Sequence, residues 1–276
     1  MASSFNASAQ TITANQTSPV EIQAGSPVTI NRNVTVDVQG APAILIDQEI
    51  SLLTVEDGAS VLSDQSAIDI ATLPDAQPFP ILINNLGTIA STSISGTEAG
   101  IRINDDTSFS QGVIINDLSA TISGSQNGLY IGDNNHSNSI VANFGRIFSD
   151  SRAFNIDGEG LTLDNSGTIE GTGTQRNGTV YSDGTANNFS VINSGTIDAG
   201  VEGSGFAAEI QTEGNTFTFN NSGTIQGRGT VDAADGFRVG NPGNIGTATV
   251  EITNSGTINS ESTTGHNGWL TLCKWH

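Results

Sequence analysis

The sequence predicts an all-β protein, a right-handed parallel β-helix of about nine coils with three short strands per coil of 22–33 residues. The first observation is a phrase, Asn-Ser-Gly-Thr-Ile, that recurs along the chain. The second is that short apolar runs with period-two alternation flank each copy, which is typical of strands. The third is that no segment long enough to form a helix shows apolar residues at the 3.6-residue period of a helix.

The phrase marks one position in each coil. The intact copies are Asn165–Ile169, Asn193–Ile197, Asn221–Ile225 and Asn254–Ile258, and the variants are Asn85–Ile89, Leu118–Ile122 and Asn143–Ile147. A fixed internal period of this size indicates a stack of supersecondary units, each too small to bury its own core.

Each coil supplies three strands. The first precedes the phrase, and the expected members are Ile81–Ile83, Val113–Ile115, Ile140–Val141, Leu161–Leu163, Ser190–Ile192, Phe217–Phe219 and Val250–Ile252. The second is the Gly-Thr-Ile of the phrase. The third follows a variable loop, at Gly100–Ile103, Gly128–Ile131, Ala153–Ile156, Gly178–Tyr181, Ala207–Ile210 and Gly236–Val239. Two earlier coils show the same pattern at Val28–Ile30, Val34–Val38, Ala43–Ile46, Leu52–Val55, Ala59–Leu62 and Ala67–Ile70. Equivalent strands of successive coils then pair in parallel, and the crossover rule favours the right hand.

The residue types of the phrase have separate structural roles. Asn and Gly suit a corner that needs positive φ. The asparagines are expected to stack as a hydrogen-bonded ladder through Asn85, Asn143, Asn165, Asn193, Asn221 and Asn254, with Asn116 as an irregular rung because it lies two residues too early. The closing isoleucine should point inward and the threonine outward.

The predicted organisation has three parts. Residues 1–26 form an N-terminal cap, 27–265 the β-helix, and 266–276 an atypical tail. The tail holds both tryptophans, the only lysine and the only cysteine, Cys273, and we interpret Trp269–His276 as a cloning scar, a frameshift product or the start of a different segment. A single cysteine excludes an internal disulfide.

Charge limits the partners. The net charge is −20, from 8 basic and 28 acidic residues, which argues against nucleic acid and against anionic lipid. No window approaches 18 consecutive apolar residues, so no membrane-spanning helix is predicted.

Acidic residues follow the third strand in successive coils. They are Asp105, Asp106, Asp133, Asp157, Glu159 and Asp183. We interpret them as a solvated acidic edge, with calcium binding as the alternative. A lyase or hydrolase would need a well-placed base or a second carboxylate, and the arginines are few and scattered. We therefore assign no catalytic, cofactor-binding or metal-ligating residue.

Two other functions leave a testable pattern. A polysaccharide-binding or polysaccharide-cleaving β-helix would expose the aromatics near strand three, which are Tyr130, Phe154, Tyr181, Phe206 and Phe237. Inward-pointing rings would remove that platform. An ice- or mineral-binding solenoid would use the threonine column, which Arg146 interrupts.

The repeated phrase, followed by a loop and a Gly-aromatic-x-aliphatic strand, resembles passenger regions of bacterial autotransporters and related surface adhesins. The resemblance covers roughly residues 28–262. It implies export to the cell surface or beyond, with outer-membrane anchoring through a C-terminal translocator barrel outside this chain. With this resemblance, we interpret the chain as a non-enzymatic stalk or adhesin fragment that presents variable loops for adhesion or self-association. Its partners would be surface glycans or proteins of a host or neighbouring cell, or further copies joined end to end or edge to edge through an uncapped C-terminal coil.

Overall fold

The computed structural model describes part of the chain in fourteen segments, and every structural statement below concerns these residues. They are 8–22, 25–47, 52–71, 81–94, 98–105, 111–132, 135–172, 178–182, 188–200, 207–210, 216–229, 236–239, 249–262 and 271–272.

Twenty-eight strands, numbered in chain order, form three parallel sheets, and the described residues contain no helix. Sheet A consists of β1 (Gln10–Ile12), β2 (Val28–Ile30), β5 (Leu53–Val55), β8 (Leu82–Asn85), β11 (Val113–Asn116), β14 (Asn135–Asn143), β17 (Glu159–Asn165), β20 (Phe189–Asn193), β23 (Thr216–Asn221) and β26 (Thr249–Asn254). Sheet B consists of β3 (Thr35–Val38), β6 (Ser60–Ser63), β9 (Thr88–Ser91), β12 (Thr121–Gly124), β15 (Arg146–Ser149), β18 (Thr168–Gly171), β21 (Thr196–Asp198), β24 (Thr224–Gly229) and β27 (Thr257–Ser262). Sheet C consists of β4 (Ile44–Ile46), β7 (Ile68–Ile70), β10 (Ala99–Ile103), β13 (Asn127–Ile131), β16 (Arg152–Ile156), β19 (Val180–Ser182), β22 (Ala208–Ile210), β25 (Phe237–Val239) and β28 (Thr271–Leu272).

The three sheets confirm the predicted β-helix. Within each sheet, every strand pairs in parallel with the equivalent strand of the next coil, as β8 does with β11 and β11 with β14. Each coil therefore contributes one strand to each sheet. The right hand of the winding stays a prediction.

The core is a set of side-chain columns between the sheets. The closing isoleucines of the phrase pair in register from Ile89 to Ile258, and all are fully buried except Ile258, which is partly buried in the last coil. The threonines before them face outward, as predicted, because they alternate with these buried positions. Toward the C-terminal coils the core becomes aromatic. Phe189 is stacked on Phe154 with 6.3 Å between ring centroids and tilted against Phe217 with 5.8 Å between them.

The predicted asparagine ladder is present and has one sense throughout. Nδ2 of each rung donates to Oδ1 of the rung in the next coil, over 2.7–2.9 Å from Asn85 to Asn254. The same Nδ2 also contacts a sheet B carbonyl of that next coil, for example Asn165 to Thr196 O at 3.2 Å. The ladder therefore joins successive coils and ties sheet A to sheet B at the corner.

The expectation for Asn116 was wrong. It is a regular rung that accepts from Asn85 at 2.9 Å and donates to Asn143 at 2.8 Å. Its early place in the sequence reflects a longer turn, which Ala120 N closes by donating to Asp117 O. The first coils have the same longer turn at Asn31–Val34 and Glu56–Ala59, so the extra residues loop outward without shifting the ladder.

The expected positive φ at the corner was also wrong. The described residues with positive φ include none from the phrase. Its glycine is required by close approach, because a Cβ on Gly195 would lie 2.1 Å from the carbonyl oxygen of Gly167 in the preceding coil. The same overlap recurs at Gly167, Gly223 and Gly256. Successive corners therefore stack backbone on backbone.

Both ends of the stack extend into segments that were predicted to be atypical. Within the predicted cap, Gln10–Ile12 pairs with β2, and Gln16 and Val20 make single bridges to Val36 and Ile44. These contacts reach all three sheets, so this segment forms a reduced first coil. In the tail, which was predicted to lie outside the β-helix, Thr271–Leu272 pairs with Arg238–Val239 and extends sheet C.

Candidate functional site

Two of the predicted acidic residues meet on the outer side of sheet C. The hydroxyl of Tyr130 lies 2.8 Å from Asp105 Oδ1 and 3.0 Å from Asp157 Oδ2. Glu159 lies elsewhere, half-buried at the start of β17 in sheet A. Asp106, Asp133 and Asp183 lie outside the described residues.

The strand pattern explains why these groups converge. Leu129 and Ile131 of β13 point into the core, so Tyr130 points outward. Asp105 follows the preceding strand of sheet C, β10, and Asp157 follows the next one, β16. Because parallel strands end at the same edge of the sheet, both carboxylates reach the tyrosine between them.

This outer face is polar but covered. Tyr130 is only 4% exposed and Asn155, its register partner, only 3%. Burial, with the charges and hydrogen bonds of Asp157 and Asp105, raises the pKa of Tyr130 far above its ordinary value. The phenol therefore keeps its proton under all ordinary conditions.

One outward column, here called the sheet C column, runs through this face. Its members are Leu45, Asp69, Arg102, Tyr130, Asn155, Tyr181, Glu209 and Arg238. Two of its members form an ion pair, in which Arg238 Nη1 lies 3.6 Å from Glu209 Oε1. Arg102 Nη1 lies 3.8 Å from Oε1 of Glu98, which is outside the column.

Desolvation acts on the first acid of the column. Burial raises the pKa of Asp69, the charge of Arg102 opposes the rise, and Glu98 adds to it. Oδ1 of Asp69 has no hydrogen-bond partner in the described part of the chain. Asp69 is therefore a carboxylate whose ionised form is poorly supported by the fold.

The aromatic candidates do not form an exposed platform. Phe154 and Phe237 are fully buried in the core. Tyr130 and Tyr181 point outward but are covered, and the guanidinium of Arg152 lies 3.8 Å from the ring centroid of Tyr181. Phe206 lies outside the described residues.

A shallow groove of about 460 Å³ lies at the asparagine corner, between sheets A and B. Leu118 and Phe144 border it with 79% and 46% of their surface exposed. Arg146 takes the place of the threonine on its floor and makes two contacts with Glu170 Oε2, at 2.8 and 3.2 Å. The threonine column is thus interrupted as predicted, and ice or mineral binding stays a prediction.

The described residues offer little support for a metal site or for a histidine-based active site. They contain no group of three or more His, Cys, Asp or Glu side chains placed to hold a metal ion. His136, the one histidine outside the tail, is fully buried with Nε2 2.9 Å from Gly132 O. Asn155 was not among the residues predicted from the sequence. The sequence signal for it is a polar residue between the two inward residues Phe154 and Ile156, at the strand position that Tyr130 and Tyr181 occupy in the neighbouring coils.

No family model, no curated protein and no solved structure matches the chain. A search of the described residues for a helix long and apolar enough to cross a membrane found none.

Proposed function

We propose that the chain is a non-enzymatic β-helical stalk or adhesin segment, secreted or displayed on a bacterial surface in the manner of an autotransporter passenger. The observation that carries the proposal is how the repeated residues are used. The asparagines bind one another and the isoleucines fill the core. The repeat therefore builds the rod and leaves other segments to bind partners.

The connections between sheets B and C are those segments. They contain two residues after Gly124 and two after Ser149, but eight after Gly171 and nine after Asp198. Insertions of different length on a regular scaffold are where binding residues concentrate. The net charge of −20 favours a solvated extracellular surface over a nucleic-acid partner.

Adhesion can be tested with the purified chain labelled at Cys273, its single cysteine. We expect saturable binding to cultured epithelial cells, to bacterial cells or to an array of surface glycans. In a matched variant, Ser-Gln, which follows Gly124 in the shorter coil, replaces residues 172–177, so that Gly178 and Thr179 keep the register of Val180 with Phe154. We expect that variant to bind less at an unchanged melting temperature. An absence of binding to all three surfaces, together with sedimentation as a monomer at high concentration, would remove the proposal.

Polysaccharide binding is a second candidate, and the corner groove favours it. An exposed phenylalanine beside the polar floor of a groove is suited to stacking on a sugar ring. Phe144→Ala, with Ile192→Ala as the control for loss of another exposed apolar side chain, should abolish retardation of the chain in gels containing either a neutral polysaccharide such as xylan or the acidic polygalacturonate. Unchanged migration of the parent chain would exclude this candidate. A release of reducing ends or unsaturated products would contradict the non-enzymatic proposal.

A further inference from the structure

The outer face of sheet A changes character along the rod. Leu82, Val113 and Ile140 are register partners on β8, β11 and β14 and form one outward column. Ile140 is 41% exposed, and Leu82 and Val113 are half-buried. The next positions of the same column carry half-buried hydroxyl side chains, which are Thr162, Ser190 and Thr218. The aliphatic stretch of this column therefore belongs to three coils and occupies positions that are polar further along the rod.

A second outward column widens this aliphatic stretch. Ile115 and Ala142 are register partners that lie two residues further along β11 and β14. Both are half-buried and point outward, because the residues on either side of them are buried. The five side chains are called here the sheet A patch, and they are Leu82, Val113, Ile115, Ile140 and Ala142.

The sheet A patch is free of charge in an acidic chain. None of the described outward side chains of β8, β11 and β14 is charged, whereas Asp164 and Glu251 stand in the same two columns further along the rod. The net charge of the chain is −20, so two copies repel each other over most of their surface. At the patch, two copies meet without bringing like charges together. A cationic partner would instead be attracted to the acidic coils.

The size of the patch sets the strength of such a contact. Three strands about 4.8 Å apart and four residues long present roughly 200 Å² of sheet. A stable dimer buries about 800 Å² on each partner. Leu118 and Phe144, at the next corner of two of these coils, are 79% and 46% exposed and enlarge the apolar surface. One pair of copies is therefore held weakly, and firm attachment needs many copies that engage together.

We propose that the sheet A patch is a self-recognition surface, through which rods displayed on one surface bind rods displayed on another side by side. This inference rests on the proposed function, because it names one partner of the displayed rod. Two sheets pack face to face about 10 Å apart. A two-fold axis near Val113 places the patch of one copy against the same patch of the other. Apolar side chains then contact apolar side chains, and both are removed from water.

Beads that carry the purified chain, coupled through its single cysteine, Cys273, test the proposal. We expect the beads to clump, and to clump more strongly as salt screens the repulsion between the acidic copies. Val113→Glu should reduce clumping at least about tenfold, because it opposes two carboxylates at the centre of the contact. Sheet A accommodates a carboxylate at this column position, since Glu251 occupies it on β26.

The matched control is Ile192→Glu, which adds the same charge at an exposed apolar position of sheet A outside the patch. Its beads should clump as the parent beads do. Parent beads mixed with Val113→Glu beads should form no mixed clumps, because both copies use the same face. Val113→Thr, with the side chain of Thr162 and Thr218, gives a second measurement if Val113→Glu lowers the melting temperature.

The outcomes separate this inference from the proposed function. Parent beads that stay dispersed in high salt, from a chain that still binds cells or glycans, overturn the inference and leave the proposed function in place. Clumping of a chain that binds no cell and no glycan supports the inference alone. If Ile192→Glu disperses the beads as Val113→Glu does, net charge governs association and the inference is overturned. Mixed clumps overturn it as well, because the patch then binds a different surface of the second copy.

Discussion

Asn85 donates to Asn116 over 2.9 Å, although Asn116 belongs to a turn two residues longer than the one that follows Asn85. The register of β8 with β11 places the two side chains opposite each other before either turn begins. Strand pairing therefore fixes the position of the asparagine at the corner, and the length of the following turn can vary without moving it.

An interior rung of the ladder, Asn193, should matter for stability. Asn193 is fully buried, accepts from Asn165 and donates to Asn221, both at 2.7 Å. Asn193→Ala removes both bonds and leaves two buried amides partly unsatisfied, so we expect a loss of about 1–3 kcal/mol in the free energy of unfolding. Urea unfolding measures it, with the exposed Asn220→Ala as the control. Equal midpoints for the two variants would contradict the ladder's energetic role.

The ladder should accept an added rung at its N-terminal end. Val55 is the buried register partner of Asn85, and an asparagine there can donate to Asn85 Oδ1 as every other rung does. We expect Val55→Asn to cost less than about 1 kcal/mol. Val61→Asn buries an amide in the isoleucine column, where no ladder partner exists, and should cost at least about 2 kcal/mol. The melting temperatures of the two variants test this prediction. A lower melting temperature for Val55→Asn than for Val61→Asn would refute it.

The glycine of the phrase should resist even a methyl group. A Cβ on Gly195 overlaps the backbone oxygen of Gly167 at 2.1 Å, and backbone on both sides prevents an easy shift. We expect Gly195→Ala to destabilise by about 1–3 kcal/mol. The adjacent and exposed Ser194→Ala is the control, because it loses only a 3.4 Å contact with Asn165 O. Thermal unfolding that does not separate the two would mean that the corner is looser than the stacking implies.

Asp69 should make stability depend on pH. Burial raises its folded pKa above the ordinary value of 3.8, so the stability it contributes is present below 3.8 and is lost as the pH rises through the raised pKa. Asp69→Asn removes this loss, and we expect the variant to be more stable than the parent at about pH 7 and equal to it at about pH 3. Melting curves across this range measure the difference. A constant offset, or one like that of the exposed Asp164→Asn, would contradict the assignment.

The repeat and its core could be predicted from the sequence because period-two alternation and a fixed phrase depend only on neighbouring residues. Ile169 and Asn165 behave as predicted because each of the coils above and below repeats them in register. The expected reason for the glycine was wrong, since the contact of Gly195 with Gly167 lies between coils and no single turn reveals it.

The sheet C site was predicted only in part. Asp105 and Asp157 were recognised because each follows a third strand. The roles of Tyr130 and Asn155 depend on the covered outer face, which is a property of packing between coils and loops. An aromatic at that spacing predicts a core or a platform equally well, and only the structure shows Tyr130 between two acids.

The single sense of the asparagine ladder has a consequence for how the rod forms. If one amide were rotated by half a turn, Nδ2 would face a donor in one neighbouring coil and Oδ1 an acceptor in the other. The orientation of Asn85 thus dictates that of Asn254, several coils away, through an unbroken series of head-to-tail amide dipoles. A coil that adds to the folded stack therefore takes its strand register and the orientation of its corner amide from the coil it pairs with, so that each folded coil acts as a template for the next.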